Sequence, residues 1–240
     1  MKRSQFVKGL AHGIPIALGY LSVSFGFGIM AVQAGLSALA ALGISATNLT
    51  SAGQAAGIAI IASGGSYLEM ALTQLVINMR YGLMGISLSQ KLDSSFNTPR
   101  RLIVSFGITD EIFAVASAQK GKITPRYMYG MILIAFLGWT TGTFLGAVAG
   151  SFLPVSLTNA MGIVLYAMFI AIIIPPAKKS RSVLTVVAIA ALFSILFKYV
   201  FTSVTSGFSI IISAVVASAL GAFFFPVSDD ENEQSEEVTN

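Results

Sequence analysis

Three stretches of this 240-residue chain carry no charged side chain: residues 13–68, 127–177 and 199–228. A membrane-spanning helix needs about 20 apolar residues. The first two stretches are each long enough for two spans and a turn. The third holds the end of one span and all of another. Charged residues make up 10% of the chain and apolar residues 55%, whereas soluble domains are about 25% charged. So little charge cannot cover a water-soluble surface. The pattern predicts spans near 10–34, 54–77, 127–150, 156–175, 183–203 and 207–226, and an all-α polytopic membrane protein. The first run is longer than the roughly 7–15-residue core of a cleavable signal, so it reads as a retained span.

The basic residues orient the spans. Lys2, Arg3 and Lys8 precede the first span. Arg80, Lys91, Arg100 and Arg101 fall in 78–101, Lys120, Lys122 and Arg126 in 119–126, and Lys178, Lys179 and Arg181 in 176–182. The alternate loops 35–53, 151–155 and 204–206 hold none. That partition predicts a cytoplasmic N-terminus. Lys198 is left over and snorkels from its helix end. Residues 78–101 and 119–126 both read as cytoplasmic, so 81–118 must form a re-entrant or broken-helix hairpin beside six full spans, or cross twice to make eight. Irregular backbone at that depth requires protein or a water-filled cavity around it. Residues 1–228 read as one transmembrane domain. The tail 229–240 is acidic and nearly devoid of apolar residues, and reads as a disordered cytoplasmic segment. No internal repeat is evident.

Several chemistries are excluded. There is no cysteine and His12 is the one histidine. Disulfides, thiolate nucleophiles, Cys-ligated clusters and His-based metal centres therefore have no residues to build them, and no cofactor is implied. The bases lie in short clusters between apolar runs, which favours a bilayer over nucleic acid. An intramembrane enzyme lacks a nucleophile–base pair, and a sensor lacks a soluble output domain. A carrier or an uncoupled channel or facilitator remains.

Candidate site residues are those that break the apolar helix pattern. Pro15 follows Gly13-Ile14. It marks either a helix start or a broken helix whose free N–H groups face a ligand. Gly19, Gly26 and Gly28 allow close helix packing. Ser51-Ala52-Gly53-Gln54 reads as the start of a half-helix on the uncharged side, either with Ser51 as an ordinary cap or with its N–H groups and the Gln54 amide turned to a carboxylate. Glu69 lies within the predicted span 54–77. An intramembrane acid is a candidate proton carrier, or else a structural hydrogen-bonding group, and Ser63-Gly64-Gly65-Ser66 before it can unwind the helix. Asn78-Met79-Arg80-Tyr81 closes that segment. Arg80 either anchors the cytoplasmic edge, holds a substrate carboxylate, or locks a gate with an acid. In Thr109-Asp110-Glu111 the acids either favour a helix start capped by Thr109 or Asp110 or form a coupling site, with a break at Gly107. Tyr127, Tyr129 and Trp139 read as packing or interface aromatics.

The same pieces, in order, carry a family resemblance. They are Pro15 with Gly19-Tyr20, Phe25-Gly26, Gly35-Leu36, Ser51-Ala52-Gly53-Gln54, Asn78-Met79-Arg80-Tyr81, Ser87-Leu88-Ser89 and Thr109-Asp110-Glu111-Ile112-Phe113. Over residues 8–226 the chain resembles the AzlC family, the large subunit of bacterial branched-chain amino acid exporters. The resemblance implies export of branched-chain amino acids, with methionine a further candidate, beside a small membrane protein, AzlD, in a bacterial inner membrane. It carries over no catalytic residues. The residue chemistry then assigns substrate binding to Pro15, Ser51, Gly53, Gln54, Asn78 and Arg80. Proton coupling falls to Glu69, Asp110 and Glu111, in a proton antiporter with both termini in the cytoplasm.

Overall fold

A computed structural model describes residues 4–150, 152–154 and 173–226, with positions 156, 167, 170 and 171 between them. The described residues form helices and no strand. The chain divides into two compact units, Met1–Met168 and Phe169–Asn240. The expected span 156–175 lies mostly outside the described residues, and the expected acidic tail wholly so.

The first unit is organised by two long helices, α1 (Gln5–Gln33) and α7 (Pro125–Ala149). Glycines let their backbones touch. A Cβ on Gly9 would stand 2.0 Å from Tyr127 O, one on Gly138 2.4 Å from Ala17 O, and one on Gly146 2.0 Å from Phe25 O. The partners advance together along both helices, so α1 and α7 run parallel. Their N-terminal ends are termed lower and their C-terminal ends upper. Such small-residue seams are how membrane helices approach without a hydrophobic drive between them.

Between these helices the chain makes two hairpins that enter from opposite ends. The first is α2 (Ala38–Thr47) and α3 (Ser51–Ala62). Ala41 packs at the upper end with Phe27, Ala31 and Ala147. Ser45 then meets Thr143, and Gln54 reaches Trp139, about halfway along α7. Ile58 returns to the upper cluster. The hairpin tip, 48–50, is therefore held at mid-depth. Next, α4 (Tyr67–Ser89) descends antiparallel to α3, with Gln74 beside Gly53 and Asn78 beside Thr50. Its end meets the lower end of α7, where Leu92 bridges Ile123 and Lys122 Nζ donates to Gln90 O.

The second hairpin is α5 (Thr98–Phe106) and α6 (Asp110–Ser117). It starts at the lower end. Phe106 stacks near Phe136 with centroids 6.3 Å apart, and Thr109 meets Tyr20, halfway along α1. The chain then returns to the lower end, where Gln119 meets His12. This bears out the hairpin in 81–118, but places it at 98–117.

Several expected boundaries are corrected. The span 54–77 is two helices, because Gly64 takes a φ of +67° in the 63–66 turn, a conformation that favours glycine. Asn78–Tyr81 does not close a segment. Instead α4 continues through it for 23 residues, about 34 Å at 1.5 Å per residue. Residues 81–89 belong to that helix, and Gln90 is its C-cap. Pro15 neither starts nor breaks a helix, since it lies inside α1. The predicted outer loop 35–53 contains α2.

In the second unit, residues 173–179 are helical. There α8 (Arg181–Tyr199) and α9 (Ser206–Phe224) pair as an antiparallel hairpin, with Gly221 against Val186. Together with α1 and α7, they are the described helices long and apolar enough to cross a membrane.

Candidate functional site

The two hairpin tips meet halfway along α1 and α7. Each tip is the N-terminus of a short helix capped by a threonine. Thr50 Oγ1 accepts from Gly53 N at 3.3 Å, and Thr109 Oγ1 accepts from Ile112 N at 3.4 Å. Thr50, not Ser51, is thus the cap of α3. Capping leaves other first-turn N–H groups without an intrahelical partner, here those of Ser51 and Ala52.

The middle of α4 binds the upper tip through a chain of amides. Thr50 Oγ1 donates to Asn78 Oδ1 at 2.9 Å, Asn78 Nδ2 to Gln74 Oε1 at 3.1 Å, and Gln74 Nε2 to Gly53 O at 2.8 Å. The contact leaves no room for a side chain on residue 53, whose Cβ would lie 2.5 Å from Gln74 Oε1. Gln54 is buried, with 2% of its surface exposed. Its amide nitrogen donates to Asn48 O and, at 3.4 Å, to Ser45 Oγ. Its oxygen accepts from Trp139 Nε1 at 3.2 Å.

The lower tip carries the acids. Tyr20 Oη lies 2.5 Å from Thr109 Oγ1 and 2.6 Å from Glu111 Oε2. The carboxylate is the stronger acceptor, so the tyrosine proton goes to Glu111 and the threonine hydroxyl donates back. Asp110 Oδ2 lies 2.6 Å from Arg80 Nη1. Arg80 also covers the Tyr81 ring at 5.0 Å and donates to its hydroxyl at 3.3 Å. Tyr81 Oη in turn donates to Thr50 Oγ1 at 3.4 Å. Tyr20 packs edge-on against Trp139, centroids 5.1 Å apart, which closes the ring of contacts between the tips.

Of the residues expected from sequence, Ser51, Gly53, Gln54, Asn78, Arg80, Asp110 and Glu111 come together here. Pro15 does not join them. It is exposed within the continuous helix α1, and Gly13 before it packs on the backbone of Met131. Glu69 does not join them either. It is buried in the first turn of α4, beside the upper turn, where Ser66 Oγ accepts from its N–H at 3.1 Å. Ser66-x-x-Glu69 is the sequence pattern of a capping box. The residues that sequence reasoning did not place in the site are Tyr20, Thr50, Gln74, Tyr81 and Trp139. One signal for the tips was available: Leu49-Thr50 and Ile108-Thr109 each put an apolar residue before a capping threonine, and both apolar residues are buried in one core cluster.

The family model for AzlC protein matches residues 15–153, which include every residue of this site. The chain belongs to the AzlC family. Among similar proteins is the inner membrane protein YgaZ of Escherichia coli (strain K12), 29% identical over 77% of this chain and 78% of that protein. An uncharacterized membrane protein of Archaeoglobus fulgidus is 32% identical over 74% and 78%. The branched-chain amino acid transport protein AzlC of Bacillus subtilis (strain 168) is 26% identical over 82% and 80%. No solved structure matches the chain. As an AzlC-family membrane protein, the chain has its oppositely entering hairpins within the matched segment.

Proposed function

We propose that this protein carries branched-chain amino acids across the bacterial inner membrane, outward and in exchange for protons, together with a small AzlD-like membrane subunit. Membrane transport is what its family supports. The observation that carries the finer reading is the polarity of the two tips. The upper tip offers the N–H groups of Ser51 and Ala52 and no acid. The lower tip presents Asp110 and Glu111, with Arg80 between the two. A zwitterion needs this order, its carboxylate toward α3 and Arg80 and its ammonium toward the acids. Interrupted helices whose N-termini meet at mid-membrane are the recurrent architecture of carrier sites. The Arg80 and Asp110 side chains keep 41% and 28% of their surface exposed. Charges at that depth face a water-filled path or protein rather than lipid, which fits a translocation route.

In this reading Ser51, Gly53, Gln54, Asn78 and Arg80 bind the substrate, and Asp110 and Glu111 are placed to exchange a proton with it. Glu69, at the upper turn, is the acid nearest one mouth of the path. Lys2, Arg3 and Lys8 hold the N-terminus in the cytoplasm, and the tail 229–240 shares that side. The test is leucine uptake into inside-out vesicles from cells expressing the chain with and without the small subunit. Concentrative uptake abolished by an uncoupler is expected. Uptake that only equilibrates leucine makes the protein a facilitator, and no uptake of leucine, isoleucine, valine or methionine removes the substrate assignment.

A further inference from the structure

The two halves of the first unit follow the same plan. A long helix is succeeded by a hairpin of two short ones: α1, α2 and α3 of 29, 10 and 12 residues, then α4, α5 and α6 of 23, 9 and 8. Their N-caps pair as Ser4 with Ser66, Ser37 with Asn97, and Thr50 with Thr109, always 59 to 62 residues apart. The buried apolar residues before the last pair, Leu49 and Ile108, keep that spacing. The first long helix rises and its hairpin enters from the upper end. The second descends and its hairpin enters from the lower end. The plan is thus repeated with inverted topology, although almost no side chains match between the halves.

The repeat pairs two tyrosines. Tyr20 of α1 and Tyr81 of α4 are 61 residues apart. Each leaves its own half and reaches the capping threonine of the other. Tyr20 Oη lies 2.5 Å from Thr109 Oγ1, and Tyr81 Oη lies 3.4 Å from Thr50 Oγ1. Tyr20 therefore holds the tip of the hairpin that enters from the lower end, and Tyr81 the tip of the one that enters from the upper end. The lower clasp is the shorter and carries the added bond to Glu111 at 2.6 Å. The upper tip is held mainly through Asn78, 2.9 Å from Thr50.

We propose that residues 4–62 and 66–117 are an inverted internal duplication and that Tyr20 and Tyr81 are its equivalent gate residues, Tyr20 restraining access to the mid-depth site from the lower end and Tyr81 from the upper end. Inverted repeats give a carrier two mirror-related states at little cost in new contacts, because exchanging the conformations of the halves exchanges the open side. Each clasp lies at the point where a tip must part from a long helix for its own side to open. Tyr20 and Tyr81 act by positioning the hairpins. The proposal rests on the transport reading only for its purpose. The sidedness of the gates is a property of the protein whatever its substrate.

The absence of cysteine from the chain gives a clean background for the test. Ser51→Cys places one thiol at the upper tip, and its reaction with a membrane-impermeant maleimide is timed in right-side-out and in inside-out vesicles. Adding Tyr20→Phe keeps the ring against Trp139 and removes the hydroxyl. Labelling is expected to rise about fivefold from the face of the α1 N-terminus, the factor to which loss of a bond worth about 1 kcal/mol converts. Adding Tyr81→Phe is expected to raise labelling from the opposite face. Thr109→Val and Thr50→Val, in the same Cys background, are expected to raise labelling from the same faces as Tyr20→Phe and Tyr81→Phe respectively, Thr109→Val by less because Tyr20 keeps its bond to Glu111 and Thr50→Val by more because the bond to Asn78 is lost as well. If both tyrosine variants change labelling from the same face, or neither changes it, the gate assignment is overturned. Leucine uptake is not part of this readout, so failure of the substrate reading leaves the result interpretable.

Discussion

Arg80 reaches from the middle of α4 to within 2.6 Å of Asp110, the first residue of α6. The cation that a substrate carboxylate would seek is thus already held by an acid of the lower tip. In the proposed reading a bound carboxylate and Asp110 would compete for it, and binding would free Asp110 to take a proton or an ammonium group. Arg80→Gln is expected to reduce leucine transport by about tenfold or more, the scale of one hydrogen bond to a charged group. Arg80→Lys should recover only part of this, because an ammonium lacks the planar fork. Asp110→Asn is expected to lower KM and kcat together, since the substrate carboxylate would meet no competitor for Arg80 while Glu111 still faces the ammonium, and the substrate would leave more slowly. Transport at the unaltered rate by Arg80→Gln would take the cation out of the site.

Trp139 is the one tryptophan in the chain, and its Nε1 donates to Gln54 between the tips. Its emission should therefore report the site without a label. Leucine is expected to change the emission in a saturable way, and the change should disappear in Arg80→Gln. Gln54→Leu removes the acceptor of Trp139 and the donor to Asn48 O. Each buried group left unpaired costs about 1–3 kcal/mol, so this variant should show a blue-shifted emission and a lower unfolding temperature in detergent. An unchanged spectrum would mean the two side chains are not bonded.

Much of the first unit could be read from sequence because its ends are marked chemically. Lys120, Lys122 and Arg126 fix the lower end of α7, Gly64 and Gly65 the upper turn, and Gly107 the break between α5 and α6. By the same marks Arg80 reads as a residue of the cytoplasmic edge, although its chemistry also allows a carboxylate ligand or a gate pair with an acid. A lone base beside other bases counts as an edge residue, and only the pairing with Asp110 shows that it is internal. Tyr20 and Trp139 look like ordinary membrane aromatics along their own helices. Their roles come from partners 85 or more residues away, which no local pattern encodes. The inverted plan is hidden because the halves share cap types and the order of one long and two short helices rather than stretches of sequence.

The α1–α7 seam makes a sharp contrast between two glycines. A Cβ on Gly142 would stand 2.1 Å from Ser24 Oγ and 2.4 Å from Leu21 O, whereas one on Gly19 would meet nothing within 4 Å. Gly142→Ala must push the two backbones apart, an overpacking cost of about 1–3 kcal/mol or more. It is expected to lower the yield of folded protein and its unfolding temperature. Gly19→Ala gains about 0.5–1 kcal/mol of helix preference and should fold at least as well as the parent. Equal yields and unfolding temperatures for the two variants would mean the helices do not touch along this seam.

In the proposed reading Glu69 separates coupling from binding. It lies eleven residues before Arg80 on α4, about 16 Å along the helix axis, beside the upper turn rather than between the tips. Gln serves as well as Glu at the third position of a capping box, so Glu69→Gln should fold normally and keep the leucine-dependent change in Trp139 emission. Its hydrogen-bonding shape survives while its ability to ionise does not. Uptake into inside-out vesicles is therefore expected to lose its dependence on the proton gradient, with leucine affinity preserved. Full gradient dependence in Glu69→Gln would leave this residue a capping role and leave proton exchange with Asp110 and Glu111 alone. There the same substitution to the amide should disturb binding and coupling together, because both acids stand in the site itself.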